Sequence, residues 1–191
     1  AIEAANSPFA RDVLVLLNVG RLSRSKRHSV LIDIVERLPH AGLIIIGDGE
    51  LREELEDRVH ARGLSSRIWF SGVHDHDVVW SYLKSARVFV FTSRLEGLSL
   101  ALAEAMSVGL PIVASDIPQN REVLTTKDGK RAGILVEPDN VDVYVSAVKT
   151  ILDDPAHAGT MSGIARQRAR ELDLDVMIDR YASLLVESGE S

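Results

Sequence analysis

Two basic side chains follow the first apolar run of this sequence, and their types suit the binding of an anion. Gly20, at the end of that run, would let the chain turn sharply and let a ligand approach the backbone closely. Arg21 then offers a planar fork of donors, and Lys26 offers a point charge. We expect both to reach over a sheet edge toward a negatively charged group, although an exposed basic loop would have the same composition.

A second candidate site begins at Glu96, where a helix is predicted to start directly after an apolar run. The predicted first turn, Gly97-Leu98-Ser99-Leu100, has backbone N–H groups without intrahelical partners at the positive end of the helix dipole. A phosphate would be well placed there. The same phosphate would repel Glu96, so we expect this carboxylate to face neutral hydroxyl groups.

Glu104 lies seven residues after Gly97, and seven residues along a helix return to nearly the same face, about 20° away. A carboxylate offers two acceptor oxygens in one plane, which matches the two adjacent hydroxyls of a ribose. The surrounding helix is apolar on nearly all sides, so we expect it to be buried and Glu104 to need a partner. A solvent-facing glutamate is the alternative.

The elements that must position these residues alternate between strand and helix. Several apolar runs are continuous, as in parallel strands covered by helices on both faces. The predicted strands are Val13–Val19, Gly42–Ile46, Ile68–Ser71, Val88–Thr92, Pro111–Ala114 and Gly133–Val136. The predicted helices are Ser29–Leu38, Leu51–Arg62, Asp77–Ser85, Leu98–Val108, Val141–Leu152, Ala156–Glu171 and Val176–Glu187.

This alternation predicts an α/β fold with a doubly wound, parallel, six-stranded, Rossmann-like sheet and a helical C-terminal tail. Ligands of such sheets bind beyond the carboxyl ends of the strands, where both candidate sites lie. Residues 1–11 are interpreted as a linker stub and residues 12–191 as one domain.

Composition excludes several classes of protein. The formal net charge of -6 argues against a nucleic-acid binder, and the absence of cysteine excludes disulfides and thiolate chemistry. No apolar run approaches the ~18 residues of a membrane span, and the N-terminus has no secretory-signal pattern, so we expect a cytoplasmic protein.

Two further motifs are interpreted as structural. Gly47-Asp48-Gly49 lacks the third glycine of a dinucleotide fingerprint and predicts a tight turn into a helix. His74 and His76 flank an aspartate, but no third ligand set is apparent, so we expect a loop that caps the next helix and no metal site.

The ordered motifs resemble the C-terminal, donor-binding domain of the family 4 (group 1) retaining glycosyltransferases, one half of the two-domain GT-B architecture. The matching stretches are Val19-Gly20-Arg21-Leu22-Ser23-x-x-Lys26, Ile45-Ile46-Gly47-Asp48-Gly49, Phe70-Ser71-Gly72, Glu96-x7-Glu104, Gly109-Leu110-Pro111 and Gly133-Ile134-Leu135-Val136. The family usually has glycine after the lysine, where this chain has Arg27, and a glycine pair where it has Gln119-Asn120.

The resemblance implies roles for the matching residues in holding a nucleoside-diphosphate sugar. Arg21 and Lys26 would contact the diphosphate, assisted by the amides of Gly97–Leu100, and Glu96 would hold sugar hydroxyls near the reacting centre. Glu104 would bind the ribose, and the backbone around Val73 would meet the base. It also implies a metal-independent transfer of a hexose, with UDP favoured over GDP.

A complete enzyme of this kind has an N-terminal acceptor domain of similar size, supplied in cis or by a partner chain. We therefore expect this chain to bind donor but to be inactive alone, and any peripheral membrane association to arise through that other half. Two alternatives remain open: half of a GT-B-like sugar-nucleotide epimerase, or a non-enzymatic α/β interaction module.

Overall fold

A computed structural model describes residue 9, residues 13–97 and residues 99–172. The predicted helix Val176–Glu187 and most of the predicted linker, residues 1–11, lie outside the described residues. Within that linker, Phe9 packs against the edge of the hydrophobic core beside Gly42.

Six parallel strands form one sheet in the order β3-β2-β1-β4-β5-β6. They are β1 (Leu14–Val19), β2 (Ala41–Ile46), β3 (Ile68–Gly72), β4 (Val88–Phe91), β5 (Ile112–Ser115) and β6 (Ile134–Val136). The strand order reverses between β1 and β4, which lie side by side at the centre of the sheet. The loops that follow these two strands therefore leave the same point of the sheet edge, where ligands of such folds bind.

Helices cover both faces of the sheet. They are α1 (His28–Glu36), α2 (Arg52–Ala61), α3 (His76–Ser85), α4 (Leu100–Val108), α5 (Pro118–Leu124), α6 (Val141–Asp153) and α7 (Pro155–Leu172). A short 3-10 turn, Arg24–Lys26, precedes α1.

Alternate strand residues supply two hydrophobic clusters, because successive side chains of a strand point to opposite faces. Leu16 belongs to the cluster beneath α1, α2 and α6, whereas Leu17 belongs to the one beneath α3, α4 and α5. Helix α7 contributes to both, through Met161 and Ala165. Every residue of β2 is buried, as its continuous apolar run predicted.

The six predicted strands are confirmed to within one residue at each end, and six of the predicted helices are present. Helix α5 is an addition, since no helix was predicted between the fifth and sixth strands. The signal for it was Pro118, which occupies a first-turn position where its missing N–H costs nothing. Gly109 ends α4 in the left-handed conformation, as expected for a glycine at this position.

Candidate functional site

The loop after β1 lies directly on the loop after β2, and backbone hydrogen bonds join the two. The Leu22 N–H donates to the Asp48 carbonyl at 3.0 Å, and the Leu51 N–H donates to the Leu22 carbonyl at 3.1 Å. A Cβ on Gly49 would come within 2.5 Å of the Leu22 carbonyl oxygen. The glycine motif predicted as a tight turn is thus needed for this backbone-to-backbone contact.

Gly20 has a different surrounding. The chain bends at Gly20 as expected, but its φ lies outside the left-handed region, so the bend itself does not require glycine. A Cβ at Gly20 would meet no atom within 4 Å. Close approach of a ligand to this backbone stays a prediction.

Arg27 adopts the left-handed conformation, with φ of 55°, at the junction between the 3-10 turn and α1. This backbone region is one that glycine occupies at little cost, and glycine is the residue that the family resemblance led us to expect here. The Arg27 guanidinium donates to the Pro138 carbonyl and lies 2.7 Å from the Asp139 carboxylate. These contacts hold a glycine-like backbone in place without glycine.

Lys26 and Glu96 form the centre of the candidate site. The Lys26 ammonium donates to both carboxylate oxygens of Glu96, at 2.6 and 2.7 Å. The Glu96 side chain is only 5% exposed and that of Lys26 is 23% exposed. Two residues predicted to act on neighbouring parts of one ligand are thus brought into direct contact.

The end of β4 fixes the backbone of the lysine turn. The Thr92 hydroxyl donates to the Lys26 carbonyl at 2.9 Å, and the Arg94 N–H donates to the Ser25 carbonyl at 2.9 Å. The Lys26 ammonium also lies 5.6 Å from the centre of the Phe91 ring. The position of Lys26 therefore depends on the end of β4 as well as on the loop after β1 that carries it.

Arg21 is not brought to this pair. Its side chain is 75% exposed, and its Nε lies 3.5 Å from a carboxylate oxygen of Glu50. An exposed pair of this kind holds a side chain weakly, so a bound anion would compete for the guanidinium with little opposition.

Helix α4 begins at Leu100, with Ser99 as its N-cap residue, so the predicted start was two residues too early. Glycine is a poor helix former, which delays the helix, and Ser99 takes the N-cap position without a side-chain cap hydrogen bond. The free amides therefore belong to Leu100 and the two residues after it. Gly97 precedes the helix and is exposed, and Leu98 lies outside the described residues.

Ser99 is buried, and its hydroxyl is among the buried polar atoms with no hydrogen-bond partner in the part of the chain that the structure describes. Buried hydroxyls normally find a partner. The unmatched group therefore marks the start of α4 as a place suited to a polar ligand.

Glu104 lies four residues after Leu100, so it occupies the same face of α4 one turn further on, about 6 Å along the axis. The expected separation of two turns was wrong, because Gly97 is not helical. The carboxylate is half-buried, and burial raises its pKa, which the nearby His76 imidazole partly offsets. His76 Nε2 lies 3.4 Å from Glu104 Oε1, so the expected partner is a histidine from α3.

The loop after β3 carries Val73, whose side chain is 76% exposed. Gly72, just before it, takes a φ of 79° that suits glycine. Asp75 occupies the N-cap position of α3 but makes no side-chain cap, so this detail of the capping prediction was wrong. Among residues 13–97 and 99–172 no group of three acidic or histidine side chains could hold a metal ion.

The segment after β5 contributes a buried residue that sequence reasoning left unassigned. Asn120 of α5 is fully buried and donates to the Ser115 carbonyl at 2.8 Å. It ties the first turn of α5 to the end of β5. Asn120, which stands at one of the positions where the family has glycines, thus serves packing in this chain.

The fold and the site together define a Rossmann-like ligand-binding domain with its polar residues at the strand carboxyl ends. A model of the family "Glycosyl transferases group 1" matches residues 2–168, and the chain belongs to this family. The family was the one expected from the sequence motifs, and its match favours a glycosyltransferase over an epimerase half or an interaction module.

The relatives agree with this assignment. The chain is 30% identical over 183 residues to the alpha-D-kanosaminyltransferase of Streptomyces kanamyceticus, covering 93% of this chain and 47% of that protein. It superposes on sucrose-phosphate synthase from Thermosynechococcus elongatus with a TM-score of 0.80 and 27% identity, over 96% of this chain and 48% of that one.

A solved structure of Anabaena Alr3699/HepE, in complex with UDP and glucose, has the same fold. Its TM-score is 0.79 at 23% identity, over 92% of this chain and 49% of that one. The chain thus spans about half the length, or less, of the curated relatives it matches. In the described part of the chain, no helix is long and apolar enough to cross a membrane.

Proposed function

We propose that this chain is the donor-binding half of a retaining glycosyltransferase that takes a hexose from a nucleoside-diphosphate sugar. The observation that carries the proposal is the buried Lys26–Glu96 pair at the β1–β4 edge, beside the start of α4. It places a cation, a carboxylate and free helix amides at the part of the fold where ligands bind.

Lys26 would stabilise the negative charge that grows on the diphosphate as the glycosidic bond breaks. Its three protons allow it to keep one contact with Glu96 while donating to phosphate oxygens. The amides at the start of α4 and the exposed Arg21 would assist. Loss of one such donor costs about 3 kcal/mol of barrier in comparable oxyanion sites.

Glu96 would hold hydroxyls of the sugar close to the breaking bond. Pairing with Lys26 supports this role, because it holds the buried carboxylate in place at the strand edge, where its oxygens can accept further hydrogen bonds. Glu104, one turn into α4, would accept the two ribose hydroxyls, and the backbone around Val73 would meet the base. With these roles, the groups would follow one another in the order sugar, phosphate, ribose and base.

We favour UDP as the nucleotide. The segment Asp116–Glu122 resembles that of polysaccharide-building members of the family, and the Anabaena relative was solved with UDP and glucose. We also propose that binding needs no metal, because Lys26, Arg21 and the helix amides supply positive charge to the diphosphate.

The acceptor would bind a second domain, present in the same polypeptide or in a partner chain. Its existence is supported by the share of each relative that this chain covers. Transfer would then take place between the two domains, in the cytoplasm, with any membrane contact made by the second domain.

A thermal-unfolding series with UDP, GDP and ADP tests the proposal. A nucleotide at 100 times its dissociation constant should stabilise the chain by ~2.7 kcal/mol. The shift should be largest with UDP, should disappear in Lys26→Met and should persist in Arg24→Gln, which removes an exposed charge from the same turn. No shift with any of the three at millimolar concentration would refute the proposal.

A further inference from the structure

Beyond the end of β4, the backbone loses its ladder partner in β5. The last pair of the β4–β5 ladder is Phe91 and Ala114. Two residues further along the chain, the Asp116 N–H donates to the Val136 carbonyl of β6 at 2.7 Å, so it is not available to β4. A buried carbonyl just after β4 therefore needs a donor from outside the ladder, because an unpaired buried carbonyl is costly.

A serine side chain supplies that donor. Ser115, the last residue of β5, donates its hydroxyl proton to the Ser93 carbonyl, and both residues are almost completely buried. Asn120 of α5 fixes the direction of this hydroxyl, since its side-chain amide donates to the Ser115 Oγ at 3.0 Å and to the Ser115 carbonyl at 2.8 Å. Because Asn120 engages a lone pair of Oγ, the hydroxyl proton is directed to Ser93.

The chain between Ser93 and Glu96 is also held from the opposite side, by the turn that carries Lys26. The Thr92 hydroxyl and the Arg94 N–H both donate to carbonyls of that turn, each at 2.9 Å. The Glu96 carboxylate in turn accepts from the Lys26 ammonium. These contacts lie on the β1 side of the segment, whereas the hydroxyl of the serine at the end of β5 holds it on the β5 side.

We propose that Ser115 is a positioning residue that fixes the place of Glu96. This inference rests on the proposed function, in which Glu96 holds hydroxyls of the sugar. Two residues separate Ser93 from Glu96, so release of the Ser93 carbonyl would let the backbone at Glu96 shift. The flexible Lys26 side chain can follow such a shift. Sugar hydroxyls on a bound nucleotide cannot, and hydrogen bonds weaken steeply when their geometry is disturbed.

The first test compares each nucleoside diphosphate with its sugar conjugate by calorimetric titration. The pairs are UDP and UDP-glucose, GDP and GDP-mannose, and ADP and ADP-glucose. In Ser115→Ala, affinity for the best-binding nucleotide sugar should fall about tenfold, the loss expected for one hydrogen bond to a charged group. Affinity for the matching nucleoside diphosphate should stay within about twofold, because that ligand has no sugar for Glu96 to hold.

Two further variants separate the hydroxyl from general effects on packing. Ser115→Cys has a similar volume but only a weak donor, so it should resemble Ser115→Ala. Thr126→Val is the matched control, since it removes a buried hydroxyl that donates to the Lys130 carbonyl beyond the far end of α5. It should leave both affinities within about twofold of the wild type.

Amide hydrogen exchange tests the positioning without any ligand. The Arg94 N–H, which donates to the Ser25 carbonyl, lies between Ser93 and Glu96 and reports on this segment. Its exchange should be about tenfold faster in Ser115→Ala than in the wild type, because the segment loses its hold on β5. In Thr126→Val it should be unchanged.

The results distinguish a failure of this inference from a failure of the proposed function. If none of the three nucleotide sugars binds the wild-type chain, the proposed function fails and this inference fails with it. If one binds and Ser115→Ala weakens it no more than the matching nucleoside diphosphate, the inference alone is wrong. Unchanged exchange at Arg94 in Ser115→Ala would overturn it as well.

Discussion

Lys26 gives hydrogen bonds to both oxygens of Glu96, and the same ammonium group is the one assigned to the donor diphosphate. Removing one partner of a buried ion pair leaves the other charge without compensation, which is more costly than removing both. Stability and nucleotide binding should therefore respond differently to single and double substitutions at this pair.

We expect Lys26→Met to lower the free energy of unfolding by about 3 kcal/mol, because Glu96 remains buried and unpaired. The double variant Lys26→Met/Glu96→Gln should recover most of that loss yet should not bind nucleotide. Urea unfolding and calorimetric titration measure the two quantities. A double variant that bound nucleotide like the wild type would remove Lys26 from the proposed machinery.

His28 gives stability a pH dependence that is separate from the site. Its ring is buried without hydrogen-bond partners among the described residues, and burial, together with Lys26, lowers its pKa from 6.5 to about 4. In the unfolded chain, His28 therefore binds a proton below pH 6.5, whereas in the folded chain it does so only below about pH 4. Stability should be lost as pH falls through this window, by about 3 kcal/mol in all.

Urea unfolding at pH 7.5, 6 and 5 measures this effect as the difference between wild type and His28→Leu. Carboxylates titrate alike in both proteins, so they cancel in the difference. The variant should lose less stability than the wild type between pH 6.5 and 4. If the free energy of unfolding fell equally with pH in the two proteins, protonation of His28 would not destabilise the folded chain.

Substitutions of Arg27 separate the contributions of backbone conformation and of side-chain contacts to stability. Arg27→Ala loses the contacts with Pro138 and Asp139 and keeps an unfavourable left-handed backbone, whereas Arg27→Gly loses only the contacts. We expect the glycine variant to be more stable than the alanine variant by about 1 kcal/mol in urea unfolding. The reverse order would mean that the left-handed conformation carries no cost here.

At the scale of elements, α7 holds the C-terminal ends of α4 and α5. Arg166 donates to the Val108 carbonyl at the end of α4, at 3.1 Å. Arg168 donates to the Glu122 and Val123 carbonyls near the end of α5, both at 2.9 Å. These arginines satisfy carbonyls that a helix end leaves without partners.

We expect Arg168→Met to destabilise the chain by about 2 kcal/mol, since it leaves buried carbonyls unpaired. Amide hydrogen exchange should accelerate in α5 in particular. Arg170→Met, an exposed change in the same helical turn, is the matched control and should stay within about 0.5 kcal/mol of the wild type. Equal effects of the two substitutions would assign no capping role to Arg168.

Sequence patterns predicted some strands and helices more accurately than others. Continuous apolar runs identified β1, β2 and β4 because strands buried on both faces need them. Helix α5 was missed because its seven residues are mostly polar, and Pro118 alone indicated that a helix starts there. The start of α4 was placed too early because an apolar pattern continues through Leu98, whereas the glycine before it, a poor helix former, delays the helix.

At the scale of the whole molecule, the site depends on strand order. Lys26 and Glu96 are 70 residues apart and meet because β1 and β4 are neighbours in the sheet. Alternation of strands and helices predicted a parallel sheet but not this contact. Sequence spacing likewise gave no sign of His76 as the partner of Glu104, since tertiary packing of α3 against α4 creates it.

The proposal that nucleotide binding needs no metal concerns the assembled site, and titration can test it. We expect UDP to bind with the same affinity, within about twofold, in EDTA and in millimolar magnesium, because protein cations and helix amides already balance the diphosphate. Isothermal titration in the two buffers measures this. A tenfold gain with magnesium would show that the ligand arrives as its metal complex.

Asp139 affects which anions the strand edge attracts, and not only the stability of the chain. It pairs with both Arg27 and Arg94, so one carboxylate offsets part of the positive charge of these two arginines near the strand edge. Lys26 is likewise paired with Glu96, so this part of the edge presents less free positive charge than its basic residues alone would give, and a broad basic field is what attracts polyanions without regard to shape. In a cell crowded with RNA, this edge should therefore select anions by how well they fit the site. Removing the Asp139 carboxylate should increase binding to heparin or RNA, and that binding should rise with the charge of the polyanion.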